Sequence, residues 1–193
     1  MDFNSLIKKR KSVRSFKNKT VSFKDVLEAI DSSLQGPYAG NINKLKFIIV
    51  EDKTKINEIA SHCNQPWIGE SSSLIVVCSD DQYIETLYGE RGKKYARQQA
   101  GAAIGTILFK LVDLSLSASW VGSYSDELIR NALRIPKNIE IDAIIPIGYE
   151  KINKYAEPRK KRSVESRICW EFWGRDKRPW IFKDPKNPRS LEE

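Results

Sequence analysis

The stretch Pro37-Tyr38-Ala39-Gly40-Asn41-Ile42-Asn43-Lys44-Leu45-Lys46-Phe47-Ile48-Ile49-Val50 ties a helix end to a tight turn, and that turn to a buried strand. Gly36-Pro37 stops the preceding helix, since glycine is common past a helix end and proline cannot continue one. Phe47–Val50 is an uninterrupted apolar run of strand length. Between them Asn41 and Asn43 each offer an NH2 donor and a C=O acceptor, one residue apart. Such a pair can grip a flat heterocycle with alternating donors and acceptors, a flavin or a base. Gly-Asn turns before strands are also ordinary loop chemistry, so function depends on what accompanies the turn.

Working outward, a first helix is expected over Phe3–Lys11. A second starts at Ser22, with Ser22 and Asp25 as a capping pair and Phe23, Val26, Leu27, Ile30 and Leu34 at helical spacing. Lys53–His62 suits a third. Leu74–Cys78 is a second buried strand, rich in β-branched residues. Tyr95–Leu114 is the longest helical pattern, and its centre, Ala100 to Thr106, is built of small residues that admit a neighbouring backbone or a partner helix. Ser117–Val121 is a short strand. A helix over Ser125–Leu133 follows, with Ser123 and Asp126 as its capping pair and Pro136 beyond its end. Ile139–Ile147 is the fourth strand. Strands alternating with helices argue an α/β sandwich.

The 193 residues fit one domain with an arm, long enough to bury a core. No apolar run approaches the ~20 residues of a membrane span, and the basic start, Lys8 to Lys11, is not a signal peptide. Cys63, Cys78 and Cys169 lack CxxC spacing, so neither a disulfide framework nor a metal site is indicated; a cytoplasmic, non-membrane protein is expected. The net charge of +8 is uneven. Residues 1–19 carry seven Lys/Arg against Asp2, and residues 151–193 carry thirteen against seven acids. Two basic ends on an acidic body fit either a nucleic-acid footprint or two arms converging on one phosphate. From about Lys151 the tail holds Trp170, Phe172, Trp173, Trp180 and Phe182 among charges and prolines. So aromatic a tail needs something to pack on, and a second copy of the chain is the simplest candidate.

Most catalytic machinery is missing. One histidine, His62, cannot supply a triad and a metal site. There is no Walker A loop, and no GxGxxG follows a strand. Asp80-Asp81 at a strand end suits a helix cap better than an acid/base couple. A chain so poor in reactive groups needs a cofactor to do chemistry. In Arg10-Lys11-Ser12-Val13-Arg14-Ser15-Phe16, an extended backbone would project Arg10, Ser12 and Arg14 to one side. Two guanidiniums around a hydroxyl suit a phosphate and a polarised ring edge, although a basic leader would look the same. A second basic cluster, Arg159-Lys160-Lys161-Arg162-Ser163, follows the last strand.

Together these elements resemble the nitroreductase family of FMN-dependent oxidoreductases. Arg10–Phe16 is similar to its R-R-S-x-R-x-F-like opening, and Pro37–Phe47 to its P-S-A-x-N-x-Q-P-W-x-F segment. Gln65-Pro66-Trp67-Ile68 with Leu74–Val77, Gly101–Leu108, Leu116–Gly122 and Ile145-Pro146-Ile147-Gly148-Tyr149 echo four further family segments, in order, over about residues 6–166. The resemblance implies an α+β three-layer sandwich, its mostly antiparallel sheet flanked by helices, with a C-terminal arm exchanged in a homodimer. Residues 1–166 would form the FMN-binding domain and 167–193 the arm. It also implies that Arg10, Ser12, Lys160 and Arg162, with Lys11 among them, hold the phosphate and ribityl chain of FMN. Arg14 and Asn41 would meet the pyrimidine edge, with Asn43 nearby. Pro37, Tyr38 and Ala39 would come from the other subunit, and the backbone at Val121-Gly122 would face N5. No side chain would serve as nucleophile or general base. NADH or NADPH would give hydride to the flavin, and a small nitroaromatic or quinone-like acceptor would take it up, in ping-pong fashion.

Departures from the family pattern mark the pocket. Tyr38 stands where Ser is usual, Asn43 where Gln is usual, Lys44-Leu45 where Pro-Trp is frequent, and Gln99 where Asp is common. Specialised flavoenzymes of the same fold, of reductive dehalogenase or flavin-fragmenting type, are one alternative. A basic nucleic-acid-binding module using both ends and the aromatic tail is the other; it accounts for the charge but not for the core or the Asn41/Asn43 turn.

Overall fold

A computed structural model of the chain describes residues 1–151, 164 and 167–178. In chain order the elements are α1 (Phe3–Lys9), α2 (Phe23–Ser33), β1 (Leu45–Val50), α3 (Lys53–His62), β2 (Ser73–Ser79), α4 (Gln82–Tyr88), α5 (Arg91–Asp113), β3 (Ser117–Ala118), α6 (Asp126–Leu133) and β4 (Glu140–Gly148). Short 3-10 turns occupy Ala39–Asn41 and Pro66–Glu70. These residues form one compact unit ending at Ile152, and 153–193 form another.

The four strands make one sheet in the order β1-β2-β4-β3, antiparallel at every pairing. Alternating helices and strands suggest parallel βαβ units, yet the direction here is reversed for a simple reason. Val50, the last residue of β1, is paired with Leu74 near the start of β2. The connection through α3 and the Pro66–Glu70 turn therefore leaves and re-enters the sheet at the same end. The architecture is α+β, as the resemblance implied and the α/β reading did not.

Layering follows from side-chain parity along the strands. Ile75 and Val77 of β2 and Ala143 and Ile145 of β4 share a core with Val26 and Ala29 of α2 and Ile104, Ile107 and Leu111 of α5. Leu74, Val76 and Cys78, with Ile144, face Ile56 and Ile59 of α3, Ile68 and Ile129 of α6. Every residue of β2 is buried, because both its faces are covered. Three layers result, with the sheet in the middle. β2 and β4 slip register between Val77 and Cys78: Ala143 pairs with Val77 and Ile141 with Cys78. Asp142 is left unpaired in this bulge. Its carboxylate meets the Arg97 guanidinium at 2.6 Å, and Arg97 also reaches Asp81 Oδ2 at 2.6 Å.

Several local expectations are revised. α1 ends at Lys9, and Arg10 is its extended C-cap. Neither capping pair forms: Ser22 is the N-cap of α2 without a side-chain bond, and Ser125, not Ser123, precedes α6. Of the Asp80-Asp81 pair, Asp80 serves the start of α4, its Oδ1 accepting from Gln82 N–H at 3.3 Å, while the Asp81 carboxylate serves Arg97 instead. The third strand stops at Ala118, and Val121 joins the sheet only through a bridge to Ile144. On α2, Val26 and Ala29 are fully buried, whereas Phe23, Leu27 and Leu34 stay exposed. On α5, a Cβ built on Gly105 would meet nothing within 4 Å among the described residues outside its own helix turn.

In the second unit, Trp170 N–H donates to the Arg175 carbonyl at 2.7 Å, and the Arg178 guanidinium sits 5.3 Å from the Trp170 ring centroid. Phe172 and Trp173 are exposed. Trp180, Phe182 and the expected boundary at residue 166 lie outside the described residues.

Candidate functional site

Buried hydrophobes at Val13 and Phe16 fasten the basic N-terminal segment to the sheet. Val13 N–H donates to the Ala118 carbonyl at 3.1 Å, and the Ser119 hydroxyl donates back to the Val13 carbonyl at 2.9 Å. Ser12 bridges Ala118 in the parallel sense, and Phe16 bridges Glu150 in the antiparallel sense. Lys17 N–H donates to the Tyr149 carbonyl at 2.8 Å. The chain thus passes from one strand's edge to another's between Ser12 and Phe16. Alternation holds across Ser12, Val13 and Arg14, with the middle residue buried and its neighbours exposed. It breaks at Phe16, which the shift to a second partner turns inward. Glu70 caps this crossing: one carboxylate oxygen accepts from Phe16 N–H at 3.0 Å and from the Ser15 hydroxyl at 3.2 Å.

Ser12 and Arg14 therefore present a hydroxyl and a guanidinium to solvent beside the loop that leads into Val121-Gly122. Val121 is buried and spends both backbone groups on Ile144, at 2.9 and 3.0 Å. Gly122 is exposed, and a Cβ built on it would meet only Trp120 Nε1 at 3.9 Å. A flat ring edge could approach this backbone without obstruction. Arg10 is half-buried at the end of α1. Lys11 turns elsewhere, pairing with Glu150 at 2.7 Å and lining a cavity of about 490 Å³ with Lys8, Lys9 and Val13. Lys160 and Arg162 lie outside the described residues.

The 37–43 turn is built separately, on α2 and α5. The Tyr38 hydroxyl donates to the Ser33 carbonyl at 2.6 Å, anchoring the turn to the end of α2, and burial raises its pKa. Gly40 and Asn41 both have φ of 59°. Gly40 has a second reason to lack a side chain, since a Cβ would lie 2.5 Å from the Tyr88 hydroxyl. Asn41 tolerates the left-handed region better than most residues. The two carboxamides do different work. Asn43 Oδ1 accepts from Leu45 N–H at 2.9 Å, setting the entry into β1, whereas Asn41 is exposed. Ala39 N–H donates to Gln99 Oε1 of α5 at 3.3 Å.

The turn and α5 enclose a cavity of about 340 Å³ walled by Pro37, Tyr38 and Ala39 on one side and Tyr95, Gln98, Gln99 and Ala102 on the other. Of these α5 residues only Gln99 stood out in the sequence, as a departure from the family pattern; Tyr95, Gln98 and Ala102 did not, because their partners lie some sixty positions away. A Cβ built on Gly101 of α5, one residue before Ala102, would lie 3.9 Å from the edge of the Trp120 ring, two residues before Gly122. Among the described residues no helix is long and apolar enough to cross a membrane.

Comparison with known proteins converges on one group. A protein of Archaeoglobus fulgidus with a provisional name of NADH dehydrogenase/NAD(P)H nitroreductase is 27% identical over 173 residues, 87% of this chain and 97% of its own. An iodotyrosine deiodinase of Thermotoga neapolitana is 22% identical over 172 residues, 81% of this chain and 92% of its own. Among solved structures sharing the fold is an FMN-dependent nitroreductase of Clostridium difficile R20291, with a TM-score of 0.66 and 22% identity, covering 86% of this chain and 94% of that one. The family model named Nitroreductase matches residues 7–70 and 58–149, a span taking in the docked basic segment, the 37–43 turn and the Val121-Gly122 loop, and on that ground the chain belongs to the nitroreductase family of oxidoreductases.

Proposed function

We propose that the chain is an FMN-dependent oxidoreductase that uses NADH or NADPH to reduce a small nitroaromatic or quinone-like acceptor, and that it works as a homodimer. The observation that carries this reading is the pairing of Ser12–Val13 with Ala118–Ser119. It fixes Ser12, and through it the exposed Arg14, on the Ala118–Ser119 segment, which leads three residues on to Gly122. FMN, when bound, would supply the hydride chemistry. The chain's own part is to bind and orient. Arg14 would offer a fixed positive charge to the pyrimidine edge of the ring, with Asn41 as a second polar contact. Arg10 and Ser12 would hold the phosphate end, joined by Lys160 and Arg162. Gly122, without a side chain, leaves its backbone free to come close to the ring.

Two features support the dimer. Phe23 and Leu27 of α2 with Leu34 at its C-cap are exposed apolar side chains, and Gly105 leaves a place on α5 that a second helix could approach closely. The turn at 37–39 would then reach the partner's flavin. The deiodinase relative favours halogenated phenols as a second acceptor class to be assayed on the same flavin.

Reconstitution with FMN and desalting should leave about one flavin per chain, and Arg14→Ala should lower both flavin retention and the rate of flavin reduction. A protein that stays colourless after reconstitution would sink the proposal.

A further inference from the structure

Lys11 and Val13 lie on the face of the N-terminal segment opposite to Ser12 and Arg14. With the last turn of α1 they form one wall of the cavity of about 490 Å³. The facing wall is the turn from α5 into β3, where Ser115 and Ser117 line the same space. The bond between Val13 and Ser119, 106 positions apart, holds the two walls together.

The second wall carries a residue that its backbone disfavours. α5 closes with bonds from Ser115 N–H to the Val112 carbonyl and from Leu116 N–H to the Leu111 carbonyl, at 3.0 and 2.8 Å. That closure needs a left-handed residue just past the C-cap Leu114, a place usually filled by glycine. Serine holds it here, with φ of 61°, where a Cβ is unfavourable. Its hydroxyl has no hydrogen-bond partner among the described residues, and neither has that of Ser117.

On the first wall, Lys8, Lys9 and Lys11 stand against one acid, Glu150, so the lining carries a net charge of +2. Lys11 and Glu150 pair at 2.7 Å, whereas Lys8 and Lys9 have no acidic partner among the described residues. Lysines in a last helical turn favour its carbonyl end. That accounts for Lys8 and Lys9 alone, but not for two unmet hydroxyls across the cavity. Ammonium donors on one side and hydroxyl donors on the other complement a phosphate group, whose oxygens accept several charge-assisted hydrogen bonds at once.

We propose that this cavity binds a phosphate group, as inorganic phosphate or as a small phosphomonoester, and that the bound anion links the N-terminal segment to the α5–β3 turn. The site lies on the face of the segment away from Ser12 and Arg14 and does not depend on the flavin reading. Because each wall supplies donors, the anion binds the docked segment and not the opened one. It thereby holds Ser12 and Arg14 in place from behind.

The full chain, 15N-labelled and saturated with FMN, is titrated at fixed ionic strength with inorganic phosphate and with AMP. Ser115→Gly and Ser117→Ala assign the two serine amide signals, and both signals should shift saturably. Replacing Lys8 and Lys9 together by glutamine should weaken binding about tenfold. Ser115→Gly separates binding from structure. Glycine suits the left-handed position better, so the thermal midpoint should rise while phosphate affinity falls about fivefold. At ten times Kd, hydrogen exchange of the Val13 amide, which donates to the Ala118 carbonyl, should slow about tenfold. Tighter binding of AMP assigns the site to a phosphomonoester, and equal affinity assigns it to free phosphate; either supports the proposal. Inert serine signals, unchanged affinity in the lysine variant or in Ser115→Gly, or phosphate that displaces FMN instead would each overturn it. So would tighter binding of a duplex oligonucleotide, which would make this face a nucleic-acid surface. Should the lysine variant fail to fold, Ser115→Gly decides. The serine signals report the site whether or not flavin is retained, so a failure of the FMN reading leaves the outcome readable.

Discussion

Replacing Asp142 with asparagine probes the bulge where β2 and β4 slip register. The Asp142 side chain is 5% exposed, and burial pushes its pKa from 3.8 up to about 6, with the Arg97 guanidinium only partly opposing the rise. Among the described residues its Oδ2 has no hydrogen-bond partner of normal geometry, the natural seat for a proton, although the nearby Ser79 hydroxyl also opposes the rise. An acid whose folded pKa is raised binds its proton more tightly in the folded state. Its contribution to stability is therefore complete below the unfolded value, near pH 3.8, and is lost as pH climbs through about 6. Two units correspond to about 3 kcal/mol. Asparagine copies the protonated carboxyl in shape, keeps an acceptor for Arg97, and cannot ionise. Urea denaturation of both proteins from pH 4 to 7.5 gives the stability difference at each pH, and groups that titrate alike in the two cancel. The wild type should lose up to about 3 kcal/mol relative to Asp142→Asn across that range, with most of the change between pH 4 and 6. A difference that does not vary with pH, or a wild type that gains on the variant as pH rises, would refute the burial argument.

Other outcomes can be checked directly. Gly148→Ala should cost about 1–3 kcal/mol in thermal or chemical melts, because the new Cβ would lie 2.7 Å from Phe16 Cδ1 and the buried ring must move. Gly105→Leu should leave the folded chain intact, since a Cβ there meets nothing within 4 Å among the described residues beyond its own helix turn, but should shift sedimentation from dimer to monomer if α5 packs on a partner; an unchanged dimer would remove α5 from the interface. With a thiol reagent, Cys169 should react fast in the native protein, whereas Cys63 and Cys78 should react only on unfolding, their thiols buried and raised to about 11 and 12.

The residues that announced themselves in the sequence were those whose environment is local or uniform. β2 and β4 announce themselves by the apolar runs Leu74–Cys78 and Ala143–Ile147, buried because both faces are covered there, and α3 keeps the limits Lys53–His62 because its amphipathic pattern is undisturbed. α4 escaped notice because only Ile84 is buried, leaving no periodic signal. α5 starts four residues earlier than its apolar pattern, at Arg91, through a glycine that helix propensity disfavours. Gly92 is there for packing: a Cβ would lie 2.5 Å from the Glu85 Cα of α4. Serine and an acid three residues on looked like a capping box at Ser22 and Ser123, but in neither case does a serine side chain reach the helix end. In the site, the alternation of Ser12, Val13 and Arg14 was legible because it is a property of three consecutive residues. The tie from Ser119 and the bond from Ala39 to Gln99 were not, since each depends on a partner from a distant part of the chain.

The pairing of Val13 with Ser119 spans 106 positions, and Phe16 pairs with Glu150. During synthesis the residues that present Ser12 and Arg14 leave the ribosome first, yet they have nothing to dock on until the loop after β3 and the end of β4 exist. Closing so long a loop is entropically costly and gains its contacts late. Loop length thus favours late closure of the N-terminal segment, as a clasp added to a body assembled from later sequence. Anything that grips Ser12 and Arg14 together with the 118–122 loop would bridge both sides of that clasp and hold it shut.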